Sequence, residues 1–406
     1  MLAISRWNES RGVYDDVCYL RQAHLFQRFG FSGLDTDIAR DDDHYLAGKL
    51  RDIGFAQWSE PRMAPCHTQI GNTKRIVLQY PPGTGAALAL FPAGFQVIPL
   101  YAVANLVAFA FALAALWRAS SPSSLALVAI FGLAALYLMI NPAKASYSVA
   151  PTMMVCMLAG FLTARWFLSS SLRERLLLTI AVGMLIGLSA TFRLPNLLLS
   201  AGYGIFLLTA FLLARSRRTF LEGLAFGAAF LIGIIPTLAA NWINAGSPFA
   251  TTYGGIDAVP PAIDMATLRS YLVDVQFFLL VSASVWTAAI WRRPGARQAV
   301  LVVAVNLAVN IVFFLTHPVF TPYYTIPIAM LSLWTLLFVT LATGEAAADN
   351  PAAVQPATAS GVAFSVSWNT RMPSGTAAIG SSAIWVAMAG ASAPVWSEIW
   401  LRLMLT

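Results

Sequence analysis

Charge is what this chain has least of. Asp, Glu, Lys and Arg make up 11% of its 406 residues, against about a quarter in an ordinary soluble domain. So few ionic groups cannot cover a water-facing surface around a core of this size, which excludes the soluble globular class. Cysteine is equally scarce, and Cys18, Cys66 and Cys156 match no metal-binding spacing. The basic residues form no stripe interleaved with aromatics, so the net charge of +7 does not point to nucleic acid. Met1 to Ser10 contains no apolar core, so neither a signal peptide nor a spanning helix is expected there. Gly83 and Gly85 lack the Lys-Ser/Thr that a phosphate-binding loop requires. No internal repeat is detectable.

What is present is apolar. Hydrophobic residues make up 58% of the chain and the mean hydropathy is +0.69, the balance of an all-α polytopic membrane protein. The organisation follows from where polar residues gather. Residues 1–95 read as a polar cap with amphipathic juxtamembrane helices. Residues 96–343 hold nine apolar spans, at 96–117, 122–141, 145–168, 176–192, 196–214, 221–241, 271–291, 298–316 and 322–343. Residues 84–95 are too short and proline-interrupted to span and are expected at the interface. An Ala-, Ser- and Pro-rich linker covers 344–377. A weaker apolar segment, 378–406, is interrupted by Glu398 and Arg402 and reads as an extra membrane-associated helix.

Basic residues set the expected orientation. Arg118, Arg173 and Arg175, then Arg215, Arg217 and Arg218, then Arg292, Arg293 and Arg297 occupy alternate connections, whereas the other set carries only Lys144, Arg193 and Arg269. The positive-inside rule places the first set in the cytoplasm. Residues 1–95 and the loop 242–270 then face the other side. With nine spans this polar region would have to be translocated with no span ahead of it, so one further helix preceding this sequence is expected. That helix would make residues 1–95 the first external loop.

Tyr14-Asp15-Asp16-Val17-Cys18-Tyr19 opens this region. At helical pitch Asp15, Cys18, Tyr19, Phe26 and Phe29 share one face, while Leu20, Arg21, His24, Gln27 and Arg28 share the other. Asp15 then sits on the buried side and Asp16 points away. A carboxylate on an apolar face needs a cationic or proton-donating partner; the plainer reading is acidic residues at a helix N-terminus. The run Asp35, Asp37, Asp41, Asp42, Asp43 with His44 reads as a solvated acidic loop or, alternatively, a divalent-cation site. Cys18 and Cys66 can pair if the region lies outside the cytoplasm. Asn306 and Asn310, four apart, are expected to bond between helices.

Several stretches, taken in order, resemble the GT-C glycosyltransferases, polytopic enzymes that use polyprenyl- or dolichyl-phosphate sugars. Relatives in that class include the protein O-mannosyltransferases and the aminoarabinose transferase of lipid A. The matching residues are Asp15-Asp16 followed by Tyr19, Tyr80-Pro81-Pro82, Phe192-Arg193-Leu194-Pro195-Asn196, and Gly246-Ser247-Pro248. The first is a variant of the family's acidic pair, with Asp where Glu is usual. The resemblance covers about residues 12–345. It implies a GT-C-like helical bundle under an external cap, and sugar transfer from a polyprenyl-phosphate donor to a lipid, glycan or protein acceptor. It further implies an integral multi-pass protein of a bacterial inner membrane with its site facing the periplasm, and it assigns the catalytic role to the first Asp of the pair.

Such a transfer needs a base for the acceptor and cations for the departing phosphate. Asp15 is the candidate base, and Asp16 could support it or help hold a metal; no other cofactor is indicated. Lys74, Arg75, Lys144, Arg193 and His317 are the candidate phosphate ligands. Arg193 stands out as a cation on the side depleted of them, its plain alternative being a snorkelling helix anchor. Tyr19, Tyr80, Tyr323 and Tyr324 are candidate substrate contacts, although the last two read first as interfacial belt aromatics. Other classes are a transporter or lipid flippase and a non-catalytic lipid-binding remnant. The carrier reading lacks the mid-span ionisable groups and paired broken helices it normally requires.

Overall fold

The computed structural model describes residues 14–71, 73–140, 146–254, 260–293, 295–319 and 321–349. The chain divides into Met1–Ala359 and Ser360–Thr406, and the described residues all belong to the first unit. The linker beyond residue 349 and the apolar segment 378–406 lie outside the described residues.

The cap comprises α1 (Tyr14–Phe29), α2 (Tyr45–Asp52), strands β1 (His67–Gln69) and β2 (Ile76–Leu78), and α3 (Gly83–Ala89). The strands pair antiparallel, His67 opposite Leu78. The bundle follows as α4 (Val97–Trp117), α5 (Pro122–Ile140), α6 (Val149–Leu168), α7 (Leu172–Phe192), α8 (Ala201–Ala214), α9 (Arg217–Ala245), α10 (Met265–Leu272), α11 (Val275–Ile290), α12 (Arg297–Thr316) and α13 (Thr325–Asp349). The described residues of the nine expected spans are mostly helical. Among the described residues seven are long and apolar enough to cross a membrane, or up to eight if α10 and α11, bent by 77°, are one broken span. The helix boundaries have local causes. The Ser171 side chain accepts from Glu174 N and that of Ser216 from Thr219 N, satisfying first-turn donors of α7 and α9. Gly246, at φ 80°, ends α9 in the left-handed conformation that lacks a Cβ penalty. α13 continues to Asp349, past the expected boundary at 343, because Gly-Glu-Ala-Ala-Ala-Asp is rich in strong helix formers.

α13 is the most buried of the seven long apolar helices and packs mainly on α6. α7 and α9 form the most extensive pair. A Cβ on Gly183 would lie 2.6 Å from Phe226 O, so only a bare backbone permits this approach. At the end of the bundle away from the cap, Arg175 donates Nε to Glu222 Oε1 (2.8 Å) and Nη2 to Glu222 Oε2 (3.0 Å). Arg175, counted above toward cytoplasmic charge, is therefore a buried, neutralised brace between α7 and α9. The inter-helix role expected for two asparagines holds: Asn306 Oδ1 accepts from Gly202 N (2.6 Å), and Asn310 Nδ2 donates to Leu198 O (3.4 Å).

The cap differs most from its sequence expectation. α1 is not half solvated, because Val17 through Ala23 are all buried. Arg21, placed on the polar face above, is fully buried. It donates to Thr36 O (2.9 Å) and Asp37 O (2.8 Å) and lies 3.6 Å from an Asp41 oxygen. Hydrogen bonds to fixed carbonyls compensate the burial that periodicity alone forbids. The acidic run is neither a free solvated loop nor an open cation site. Asp35 and Asp37 pair with Arg75, Asp42 with Arg28, and Asp43 with His24 and Arg28. A disulfide links Cys18 to Cys66. Closing the 48-residue separation between them is worth about 4 kcal/mol in the chain-entropy picture. Within and just before the segment 84–95, α3 packs between α1 and α7. Gly83 and Gly85 allow the close approach: a Cβ on either would meet Thr191 or Gln22.

Asn244 ties the cap to α9. Its Oδ1 accepts from Thr36 N (2.9 Å) and Thr36 Oγ1 (3.1 Å), and its Nδ2 donates to Leu34 O and Ala240 O (both 2.8 Å). Asn244→Ala strands the buried Thr36 amide, at a cost of about 1–3 kcal/mol. Hydrogen exchange should speed up through residues 30–45 while α7 and α13 stay protected. Unchanged protection at Thr36 would contradict this linkage.

Candidate functional site

The α7 helix stops where Pro195 cannot continue it, and Arg193 adopts an extended conformation (φ −153°, ψ 130°) at the break. The break sits at the cap end of the bundle. The guanidinium is 7% exposed and lies over two phenol rings, 4.3 Å from the Tyr323 centroid and 4.5 Å from that of Tyr324. Both tyrosines come from the turn that leads into α13, and their rings stand nearly perpendicular, at 85°. Both face the cation. Tyr324 also contacts the His317 ring at 5.7 Å, and His317 stacks on Phe313 at 5.3 Å.

Tyr19 of α1 and Tyr253, beyond α9, interact electrostatically with Arg193 from the cap side. Tyr80 joins them, 5.2 Å from Tyr19 and 5.9 Å from Tyr253. Tyr323 and Tyr324 thus meet the cation directly, and Tyr19, Tyr80 and Tyr253 form an adjoining aromatic group from three other segments. The Nη1 of Arg193 has no hydrogen-bond partner among the described residues. Arg193 lines a small cleft of about 10 Å³, the room of a single water, together with Asn196, Leu199, Asn310, Phe313, Phe314 and Tyr324. Cation–π contacts of desolvated guanidinium are worth about 2 kcal/mol or more each, enough to hold the group in place while its Nη1 stays unmatched. A planar guanidinium with an unmatched donor beside a cleft of mixed polarity suits an oxyanion.

The acidic pair divides. Asp16 is 2% exposed, and its Oδ1 accepts from Ser146 Oγ (2.9 Å) and Tyr147 N (2.8 Å). This corrects the expectation that Asp16 points away from the buried face. Residues 16–23 of α1 are all buried, and the 146–147 turn supplies donors to Asp16. Asp16 precedes Tyr19 by three residues, so the two share a side of α1. The side chain of Asp15, and Lys144 altogether, lie outside the described residues.

Two other candidates are placed elsewhere. Arg75 is taken up structurally, donating to Asp35 (2.8 Å), Asp37 (3.0 Å) and Ile243 O (3.0 Å). Lys74 is exposed beside it. Tyr253 was missed because its loop, rich in Gly, Thr and Pro, has no periodicity. Among the described residues the one His/Cys/Asp/Glu group at metal-ligand spacing is Cys18, Cys66 and His67, and the disulfide occupies both thiols.

His67 supplies a pH dependence. Burial first, and the Arg21 guanidinium second, push its pKa down from 6.5 to about 3. Below pH 6.5 the unfolded chain takes up a proton that the folded cap does not, so stability is present above that pH and declines as pH falls toward 3. The decline approaches about 1.4 kcal/mol per pH unit. Thermal unfolding between pH 7 and 5 should show the loss, and His67→Gln should flatten it. An equally steep slope in that variant would contradict the assignment.

No protein-family model, no curated protein and no solved structure matches this chain.

Proposed function

We propose that this protein is an integral, multi-pass membrane glycosyltransferase with its site on the external, periplasmic face, moving a sugar from a polyprenyl-phosphate donor to an acceptor hydroxyl. The observation that carries the reading is Arg193: a buried cation with an unmatched donor, held by tyrosines beside a small cleft. In this reading the guanidinium receives the phosphate. Tyr324 lines the cleft beside it, with His317 against Tyr324, and Tyr19 and Tyr80 face the sugar.

Asp15 accepts the proton as the acceptor oxygen attacks the anomeric carbon. The bond to the phosphate oxygen breaks with its electrons leaving on the phosphate, whose added charge Arg193 stabilises. A single displacement of this kind inverts the anomeric configuration. Seven helices long and apolar enough to span, together with a disulfide-bonded cap, favour a membrane setting in which the cap faces an oxidising compartment. No step is assigned to a metal, and the acceptor class is left as lipid, glycan or protein.

Membranes containing the protein should move radiolabel from a polyprenyl-phosphate sugar to an acceptor fraction. Uptake of a solute, or movement of the intact lipid between leaflets, with no loss of label from the donor, would favour a carrier instead.

A further inference from the structure

A buried line of hydrogen bonds leads from the carboxylate of Asp16 to the turn that carries Arg193. Ser146 Oγ donates to Asp16 Oδ1 (2.9 Å), and Ser148 Oγ donates to Ser146 Oγ (3.1 Å). The Ser148 carbonyl accepts from Thr152 Oγ1 (2.8 Å). Thr152 Oγ1 in turn accepts from Asn196 Nδ2 (3.2 Å), which also donates to Ser189 O (2.7 Å). The Asn196 amide closes on Arg193 O (3.1 Å). Asp16, Ser146, Ser148, Thr152 and Asn196 are each 3% exposed or less.

A threonine that bonds back to the carbonyl four residues earlier is ordinary in a helix. Thr179 and Thr335 do only that here. Thr152 differs because its oxygen also receives a side chain from another segment. One hydroxyl therefore joins two halves: a donor chain ending on the acidic pair, and the Ser189–Asn196 corner that presents the guanidinium.

We infer that Thr152 is a positioning residue whose hydroxyl holds the acidic pair of α1 in register with the Arg193 turn. The inference rests on the glycosyl-transfer reading and deepens it. Base and phosphate clamp act on opposite ends of one displacement, so a shift between them costs rate even where each still binds its own partner. A misplacement of about 1 Å can cost on the order of 100-fold. Thr152 contacts neither group directly, so its loss should leave donor binding largely intact.

Thr152→Val keeps the shape and removes the hydroxyl; Thr152→Ser keeps the hydroxyl. T152V is expected to lower kcat about 10-fold per folded molecule, with the donor KM within about two-fold, and T152S to restore most of it. Full kcat in T152V, or a defect carried equally by T152S, would overturn the inference. A second measurement does not depend on transfer. Melting temperatures of Ser146→Ala, Asn196→Ala and the double variant should be non-additive, and should become additive once T152V is present. If no sugar is transferred by the wild-type protein, the glycosyl-transfer reading falls. The melting cycle still decides on the linkage, and additive losses with Thr152 in place would overturn it.

Discussion

Asp15→Asn is expected to lower sugar transfer about 100- to 10,000-fold, the usual cost of losing a general base. The amide matches the carboxylate in shape but cannot take the acceptor's proton, so folding and donor binding should persist. Asp16→Asn provides the internal comparison. Its carbonyl oxygen can still accept from Ser146 Oγ and Tyr147 N, the two bonds that bury the wild-type carboxylate. The variant should fold and keep more activity than the neighbouring substitution. Asp16→Ala abandons both bonds and should instead lower stability by about 2 kcal/mol. Full-rate transfer with Asn at position 15 would remove Asp15 from the mechanism.

The second large effect belongs to Arg193. Arg193→Ala removes a charged donor from a desolvated site, where such a hydrogen bond is worth about 1.5–3 kcal/mol, or roughly 10- to 100-fold in donor affinity. The defect should recover in part at high donor concentration. Arg193→Lys keeps the charge but loses the planar fork and its fit over Tyr323 and Tyr324, so it should rescue poorly. Recovery to wild-type KM with Lys would mean that only charge matters. A loss of folding in both variants, with no change in donor affinity for the folded fraction, would make the cage a packing device.

These expectations combine two kinds of information. The helical, apolar character of 96–343 was legible because apolar runs of about 20 residues leave few alternatives, although seven helices, or up to eight, rather than nine qualify as spans among the described residues. The cage was legible in part. Arg193 was conspicuous as a cation where cations are few, and Tyr19, Tyr80, His317, Tyr323 and Tyr324 were marked individually. Their convergence was not visible, because it depends on how α1, α3, α7, α12 and α13 pack.

The cap misled for a physical reason. Periodicity assumes that polar means exposed, yet Arg21 is enclosed by the carbonyls of residues 36 and 37, which lie in a segment with no regular pattern. The same assumption sent Asp16 outward and left Arg75 available, when long-range partners at 146–147, 35 and 37 had claimed them. Such partners are invisible in any local window. Cys18 and Cys66 were the exception, since two thiols in one polar region leave a single pairing to consider.

The most direct test is to ask where the lipid phosphate sits. A polyprenyl-phosphate sugar with a photoreactive group on its first isoprene unit should crosslink, in membranes, to residues 193–199 and 313–324, and Arg193→Ala should reduce the yield about 10-fold at limiting donor. Crosslinks confined to the opposite end of the bundle, around Arg175 and Glu222, or a yield indifferent to Arg193, would contradict a phosphate site in the tyrosine cage.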